Sequence, residues 1–172
     1  MSEEETKHWT FHHLGVVVND LKKAVEYYKS LGIVTFPPLP PAAKKRGQAG
    51  PIWLEMSAYG KTVIRDGEPV DPPAEITKHG LAVLCHMGTI QLELIQCGDA
   101  FRDVNLDFLE TRGEGISHIA YIVNHEHYGQ EVEKMKAKGL RVLYCGRKSN
   151  GDGFTYFDTR KVGGIITELM GA

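Results

Sequence analysis

Two histidines and two glutamates lie in matching surroundings along this chain and could together bind a divalent metal ion. His13 opens the stretch His-Leu-Gly-Val-Val-Val-Asn, and His118 opens the similar stretch His-Ile-Ala-Tyr-Ile-Val-Asn. Each half of the chain closes on an apolar stretch with one acid, which is Glu93 in the first half and Glu168 in the second. Two imidazoles and two carboxylates form a ligand set that suits Zn, Ni, Co, Mn or Fe(II).

The secondary structure that must position these residues is also predicted to repeat. The first half predicts a strand over 11–18 and an amphipathic helix that ends at Gly32. The second half predicts a strand over 116–123 and a helix near 127–138. Three strands complete each half: those near 33–36, 80–87 and 89–96 in the first, and those at 140–145, 153–158 and 164–170 in the second.

The pattern predicts an α+β fold made of two paired βαβββ modules, an N-terminal one over 11–97 and a C-terminal one over 115–170. The first and last strands of such a module can be neighbours, so that pseudo-symmetry brings all four side chains to one centre. The next residues inward on the same face, Gly15 and Ala120, are small. We expect them to leave room above the sheet for a metal and a ligand.

Charge also favours a metal at this centre. Burying two carboxylates together without a cation is costly, whereas a divalent ion offsets both charges. Six-coordinate geometry would leave two cis positions for neighbouring oxygens of a substrate. His12 is not expected to be a ligand, because alternation along the strand puts it on the opposite face from His13.

The two halves differ in length by an insertion at 37–79. All eight prolines of the chain fall within it, and proline removes a backbone donor, so we predict loop rather than added sheet. Part of it, Ile52 to Ile64, has the composition of a short hairpin or helical turn. A loop of this length is either a lid or substrate-specificity loop or a plain surface excursion.

Composition excludes several classes of function. The net charge is -2 and no basic block stands out, which argues against nucleic acid as a partner. The acidic N-terminus lacks the apolar segment of a signal peptide, and no apolar run approaches the roughly 18 residues of a membrane span. Three cysteines without metal-ligand spacing are typical of free thiols. These features predict a cytoplasmic protein.

The chain resembles the vicinal oxygen chelate superfamily, which includes glyoxalase I, methylmalonyl-CoA epimerase, extradiol dioxygenases and the bleomycin resistance proteins. The opening of methylmalonyl-CoA epimerases is similar to Phe-His-His-Leu-Gly-Val-Val-Val at 11–18, and further similarity lies at 78–83, 88–94 and 115–120. The resemblance implies a cup-shaped mixed sheet with helices outside. It also implies one divalent ion (Co, Ni, Zn or Mn), with ligands His13, Glu93, His118 and Glu168.

The resemblance also implies a reaction. A metal-bound carbonyl acidifies the neighbouring C–H, and a carboxylate such as Glu168 or Glu93 moves the proton to give an enolate or enediolate. The expected substrate is a small molecule with a carbonyl and a second nearby oxygen. Methylmalonyl-CoA epimerase is the first expectation, a glyoxalase I-type lyase the second, and an extradiol dioxygenase the third. A metal-free binding protein of the same fold is an alternative from another class.

Two departures from the epimerase pattern bear on the substrate. The segment Gly-Leu-Ala-Val-Leu at 80–84 has no separate acid, for which Glu55 is a possible substitute, and Asp158-Thr159 stands where the epimerases tend to have His-Pro. His79, Arg160 and Lys161 are weak candidates for substrate binding, the last two through an anionic group. A homodimer is expected from the fold, in which the cup is closed within one chain or between two.

Overall fold

In the computed structural model, the described residues form a single mixed sheet with three helices. Residues 6–36, 53–56, 63–65, 68–70, 80–98, 104–147 and 153–172 are described. The strands are β1 (Trp9–Val17), β2 (Trp53–Met56), β3 (Val63–Arg65), β4 (Glu68–Val70), β5 (Gly80–Met87), β6 (Ile90–Gln96), β7 (Gly115–Val123), β8 (Val142–Arg147), β9 (Gly153–Phe157) and β10 (Ile166–Gly171). The helices are α1 (Leu21–Leu31), α2 (Val104–Arg112) and α3 (His125–Ala137).

The order of strands across the sheet reproduces the sequence repeat. Within the described residues it runs β2-β5-β6-β1-β7-β10-β9-β8-β3-β4. In each half the first strand lies parallel to the last, β1 beside β6 and β7 beside β10. The two halves meet where β1 and β7 pair antiparallel at the centre. The prediction of an α+β fold with paired βαβββ units is confirmed.

Helices α1 and α3 pack on one face of the sheet. Helix α1 begins where the Asp20 side chain accepts a hydrogen bond from the Lys23 N–H, and it ends at Gly32, whose φ of 66° is in the left-handed region. Its buried residues Leu21 and Val25 pack in one hydrophobic core with buried residues of β1, β5 and β6. Helix α3 buries Tyr128, Val132 and Met135 against β7 to β10.

Helix α2 was not predicted, and it packs on the other face. Its Val104 belongs to a separate core with Tyr156 and Ile166. Ile166 pairs with His118 in the register of β7 and β10, which places this core on the face that carries His118. The helix has almost no amphipathic pattern in the sequence, so periodicity gave little signal for it.

The insertion contributes strands, so the prediction of loop rather than sheet for 37–79 is wrong at three places. Strand β2 pairs with β5, and the β3–β4 hairpin pairs with β8. Pro69 is compatible with β4 because that strand lies at the end of the sheet order, where its missing donor is not needed. The predicted strand near 33–36 is reduced to a single bridge between Thr35 and His86.

None of the described helices is both long enough and apolar enough to cross a bilayer.

Candidate metal centre

Strand register brings the four predicted ligands to one face of the sheet. Across the central pair, His13 lies opposite Ala120 and Gly15 lies opposite His118. Within the first half Gly15 pairs with Glu93, and within the second Ala120 pairs with Glu168. The two halves therefore use the same register relative to their histidines. Residues paired across neighbouring strands share a face, so the four side chains converge.

The converging atoms are the two Nε2 nitrogens and one oxygen of each carboxylate. The Nε2 atoms of His13 and His118 lie 3.2 Å apart. Oε2 of Glu93 lies 3.1 Å from Nε2 of His13, and atoms of His13, Glu93 and His118 all lie within 4.8 Å of one another. Oε2 of Glu168 lies 3.6 Å from Nε2 of His13 and 3.4 Å from Nε2 of His118.

The cluster is deeply buried except at one carboxylate. His13 is 2% exposed and His118 is fully buried. The Glu168 side chain is 6% exposed, whereas that of Glu93 is 17% exposed. Glu93 therefore forms the solvent-facing edge of the cluster.

Burial and charge oppose each other in setting the pKa values of the cluster. Burial lowers the pKa of His13, but the hydrogen bond and the charge of Glu93, with the charge of Glu168, outweigh it and raise that pKa. Burial raises the pKa of Glu93, but the hydrogen bond and charge of His13 outweigh it, so that pKa falls below its ordinary value. Two carboxylates are thus held against two imidazoles in a site that favours positive charge.

A divalent cation fits this donor set. Atoms bound to one cation at about 2.0–2.2 Å are about 2.8–3.6 Å from their neighbours in octahedral or tetrahedral geometry. The four measured separations, 3.1 to 3.6 Å, fall in that range. Oε2 of Glu168 is buried and has no hydrogen-bond partner among the described residues. A buried carboxylate oxygen without a donor is costly, and a metal ion would satisfy it.

Gly15 serves a purpose different from the one expected. A Cβ on residue 15 would lie 1.9 Å from Cε1 of His118. The space above Gly15 is therefore filled by the imidazole of His118 and is not left open for metal and ligand. Only glycine allows that ring to lie against the strand.

The expectation that His12 points away from His13 is wrong. Strand β1 has a bulge between Phe11 and His13, so His12 has no partner in β7 and alternation fails at this point. The Nδ1 atoms of His12 and His13 lie 2.7 Å apart. Burial and the charge of His13 lower the pKa of His12, which favours its neutral form.

Residues that sequence reasoning missed surround His118. Tyr156 meets its ring edge-on at a centroid distance of 5.1 Å, and Tyr156 belongs to an aromatic group with Tyr144 and Phe154. Asn105 of α2 is buried and accepts a hydrogen bond from the Ser117 hydroxyl at 3.2 Å. The repeat gave no signal for these residues, because none of them lies within the repeated histidine and glutamate segments.

The weaker candidates lie in different settings. The guanidinium of Arg160 donates to both carboxylate oxygens of Asp158 at 2.8 Å, and it helps hold the pKa of Asp158 well below its usual range. Lys161 is exposed in the turn before β10. His79 lies outside the described residues. Glu55 lies in β2, where it pairs with Leu81.

A family model matches most of the chain. Residues 12–157 match the Glyoxalase/Bleomycin resistance protein/Dioxygenase superfamily. The chain therefore belongs to this superfamily, which is the vicinal oxygen chelate superfamily indicated by its motifs. No curated protein matches it by sequence.

Solved structures share the fold at low sequence identity. Methylmalonyl-CoA epimerase from Mycobacterium tuberculosis is 19% identical with a TM-score of 0.51, over 94% of this chain and 86% of that chain. Hypothetical protein BH1468 from Bacillus halodurans is 16% identical with a TM-score of 0.55, over 95% and 94%. A Streptomyces coelicolor methylmalonyl-CoA epimerase variant in complex with 2-nitronate-propionyl-CoA is 20% identical with a TM-score of 0.50, over 94% and 96%.

Proposed function

We propose that this protein is a divalent-metal-dependent enzyme that removes a proton next to a carbonyl group of its substrate, in the manner of methylmalonyl-CoA epimerase. One observation carries the proposal. Nε2 of His13 lies 3.1 to 3.6 Å from Nε2 of His118 and from one oxygen each of Glu93 and Glu168, and Oε2 of Glu168 lies 3.4 Å from Nε2 of His118. The buried, unpartnered oxygen of Glu168 supports a bound cation over a purely structural cluster.

In this proposal the four side chains hold the metal, and its identity among Co, Ni, Zn and Mn is left to measurement. When bound, a divalent ion polarises a carbonyl oxygen and so acidifies the neighbouring C–H. We assign His13, His118 and Glu168 to holding the metal, because they are buried and are the least accessible to solvent and substrate. Metal affinity should depend on all three.

Glu93 is the carboxylate that we assign to proton transfer. Its side chain is 17% exposed, against 6% for Glu168, so a substrate at the open edge of the cluster meets Glu93 first. A general base must come within hydrogen-bond reach of the proton it removes. Glu93 is therefore both a ligand and the base in this proposal.

An aromatic wall beside His118 fits a substrate with a small apolar part. Tyr144, Phe154 and Tyr156 pack together with centroid distances of 5.5 to 6.3 Å, and Tyr156 contacts the His118 ring. Such rings exclude water from the His118 side of the cluster. Water exclusion strengthens electrostatic effects at the reacting atoms.

Metal analysis is the first test. Protein purified without chelator should contain close to one divalent ion per chain, and His118→Ala should contain almost none. His127→Ala, which changes a half-buried histidine of α3 that stacks on His8, is the matched control and should retain the metal. A parent protein that cannot be loaded with Co, Ni, Mn or Zn would contradict the proposal and favour a metal-free binding protein of the same fold.

The reaction is tested by solvent deuterium exchange. Methylmalonyl-CoA incubated with the metal-loaded protein in D₂O should gain deuterium at the carbon next to the thioester carbonyl. The hemithioacetal of methylglyoxal and glutathione is the comparison substrate, because the same donor set is that of the bacterial glyoxalase I proteins the chain resembles. Turnover of the hemithioacetal without exchange into methylmalonyl-CoA would replace the epimerase assignment with a glyoxalase I-type lyase.

A further inference from the structure

Two bulges lie immediately before the two candidate histidine ligands. Between β1 and β7 the pairing skips His12 at one end and Ser117 at the other. Each skipped residue directly precedes a histidine of the cluster, and the two bulges are related by the same pseudo-symmetry as the ligands. Bulges occur next to functional sites because they re-aim side chains that regular alternation would separate.

Ser117, the unpaired residue of β7, contacts the Nδ1 side of the His118 ring. The Ser117 hydroxyl lies 2.8 Å from Nδ1 of His118. The same hydroxyl donates to acceptors, the side-chain oxygen of Asn105 at 3.2 Å and the carbonyl of Gly15 at 3.4 Å. A hydroxyl has one hydrogen, so when that hydrogen goes to Asn105 or Gly15 the Ser117 oxygen accepts from Nδ1–H of His118. That arrangement leaves Nε2 of His118 with a lone pair directed at the cluster.

The skipped residue of β1 contacts the equivalent atom. Nδ1 of His12 lies 2.7 Å from Nδ1 of His13, and Nε2 of His12 lies 3.3 Å from the side-chain amide of Gln91. If Nδ1 of His13 donates to His12, then neutral His12 carries its hydrogen on Nε2. The Gln91 side chain accepts that hydrogen when its amide oxygen faces His12. A 180° flip of the amide exchanges its oxygen and nitrogen and gives this orientation. A chain from Gln91 through His12 then fixes the form of His13.

We propose that His12 and Ser117 are positioning residues that hold the Nδ1 edges of His13 and His118 and so present each Nε2 to a metal ion. The inference rests on the proposed function. It goes beyond it by assigning the outer contacts of the site to two residues outside the ligand set, one from each bulge. A contact of this kind fixes the ring's orientation and its tautomer, and its loss typically costs about 10-fold to 100-fold in metal affinity.

Ser117→Ala is the first test, with zinc affinity measured by competition against a chromophoric chelator. We expect the variant to bind Zn²⁺ about 10-fold to 100-fold more weakly than the parent. Thr155→Val is the matched control, because Thr155 is also buried and its hydroxyl bonds to Tyr128 at 2.9 Å, with no role in the cluster. That control should lower the melting temperature but keep the parent's zinc affinity.

The tautomer of His118 is a second readout, because a purely structural role of Ser117 would not change it. In the metal-free parent, ¹H–¹⁵N spectra should show His118 with its hydrogen on Nδ1, and Ser117→Ala should lose that preference. For the other half, His12→Phe keeps a ring without an acceptor and should weaken zinc binding. His12→Gln restores an acceptor and should recover part of the loss.

The outcomes separate this inference from the function on which it rests. A parent that binds none of Zn, Co, Ni and Mn overturns the proposed function, and the inference with it. A parent that binds zinc while Ser117→Ala and His12→Phe bind it equally well overturns the inference alone. Equal losses in Ser117→Ala and Thr155→Val would also overturn it, because the effect would then follow stability and not ring position.

Discussion

Gly15 lies directly opposite His118 in the central strand pair, and the His118 ring occupies the place of the side chain that residue 15 lacks. A Cβ there would approach Cε1 of the ring to 1.9 Å, far inside van der Waals contact. One residue type at one position therefore decides where the imidazole of a candidate ligand can lie. Its neighbours leave the ring no free volume, since His118 is fully buried.

Gly15→Ala is predicted to destroy metal binding. The added methyl must push the His118 ring away from the cluster, and overpacking of this kind costs about 1–3 kcal/mol of stability. We expect zinc affinity to fall at least about 100-fold, since a ligand and its outer contact move together. Zinc titration and thermal unfolding measure the two effects.

Gly129→Ala is the control for this substitution. Gly129 is exposed on α3 with open space around its Cα, so alanine should stabilise the helix by about 0.5–1 kcal/mol and leave zinc affinity unchanged. Normal metal binding by Gly15→Ala would show that His118 is not held as described.

Glu168→Gln is predicted to stabilise the metal-free protein. Oε2 of Glu168 is buried without a hydrogen-bond donor beside two Nε2 atoms, and the amide of glutamine can donate to a neutral imidazole there. We expect a gain of about 1 kcal/mol in the free energy of unfolding in chelator, measured by urea denaturation. Added zinc should raise the melting temperature of the parent but not that of the variant.

Glu133→Gln is the matched control, because Glu133 is an exposed carboxylate that forms an ion pair with Lys136. Its unfolding in chelator and its response to zinc should equal those of the parent. A loss of stability in metal-free Glu168→Gln would mean that the carboxylate is satisfied without a metal.

Glu93→Gln is predicted to separate metal binding from proton transfer. Glu93 is the solvent-facing ligand in the proposal, so its amide should leave three buried ligands in place and keep part of the metal affinity. An amide cannot accept the substrate proton as a carboxylate does, and deuterium exchange should fall by about 100-fold or more at saturating metal. Unchanged exchange in metal-loaded Glu93→Gln would remove Glu93 from the role of base.

In the metal-free protein, the contribution of the His13–Glu93 ion pair to the free energy of unfolding should depend on pH. The pKa of Glu93 is lowered by His13, after the opposing effect of burial, so its contribution is lost as pH falls from about 4.3 through its folded value. The pKa of His13 is raised by the carboxylates against burial, so its contribution is complete below about 6.5 and is lost as pH rises through its folded value.

The contribution is therefore largest between about pH 4.5 and 6.5. Urea unfolding of the parent and of His13→Gln in chelator, from pH 4 to 9, should show the largest difference in that window. A difference that does not change with pH would contradict the assigned ion pair.

The cysteines should differ in reactivity. Burial raises the pKa of the Cys85 thiol to about 11, and Cys145 is also buried, whereas Cys97 is partly exposed. Because the thiolate is the reactive form, a chromogenic disulfide reagent at neutral pH should modify Cys97 first. Cys97→Ser should remove the fast phase of modification, and unfolding in urea should make Cys85 and Cys145 reactive. Fast modification of Cys85 in the folded parent would contradict its buried position.

The convergence of the four candidate ligands could be predicted from sequence because two simple regularities agreed. The repeated histidine and glutamate segments indicated equivalent strands, and the expected pairing of the first and last strands in each half brought the four side chains to one centre. The observed register, Gly15 with Glu93 and Ala120 with Glu168, follows from that equivalence. The fold class followed from the same pattern.

The bulges could not be predicted in the same way. A bulge is an extra residue in one strand, and it is decided by the fit of β1 to β7, which lie far apart in sequence. Strict alternation therefore placed His12 on the wrong face. The pairing of β2 with β5 and of β3 with β8 was not predicted for a related reason, since it is long-range and the surrounding sequence is rich in proline.

The approach of His13 to His118 sets an order of events in folding. Their Nε2 atoms lie 3.2 Å apart although 105 residues separate them along the chain. Closing so long a loop is entropically costly, so the cluster is complete only after β1 and β7 have paired. Either half alone supplies two of the four candidate ligands, too few to hold a cation while the chain is still assembling. A metal that enters last should slow unfolding and leave the rate of folding almost unchanged.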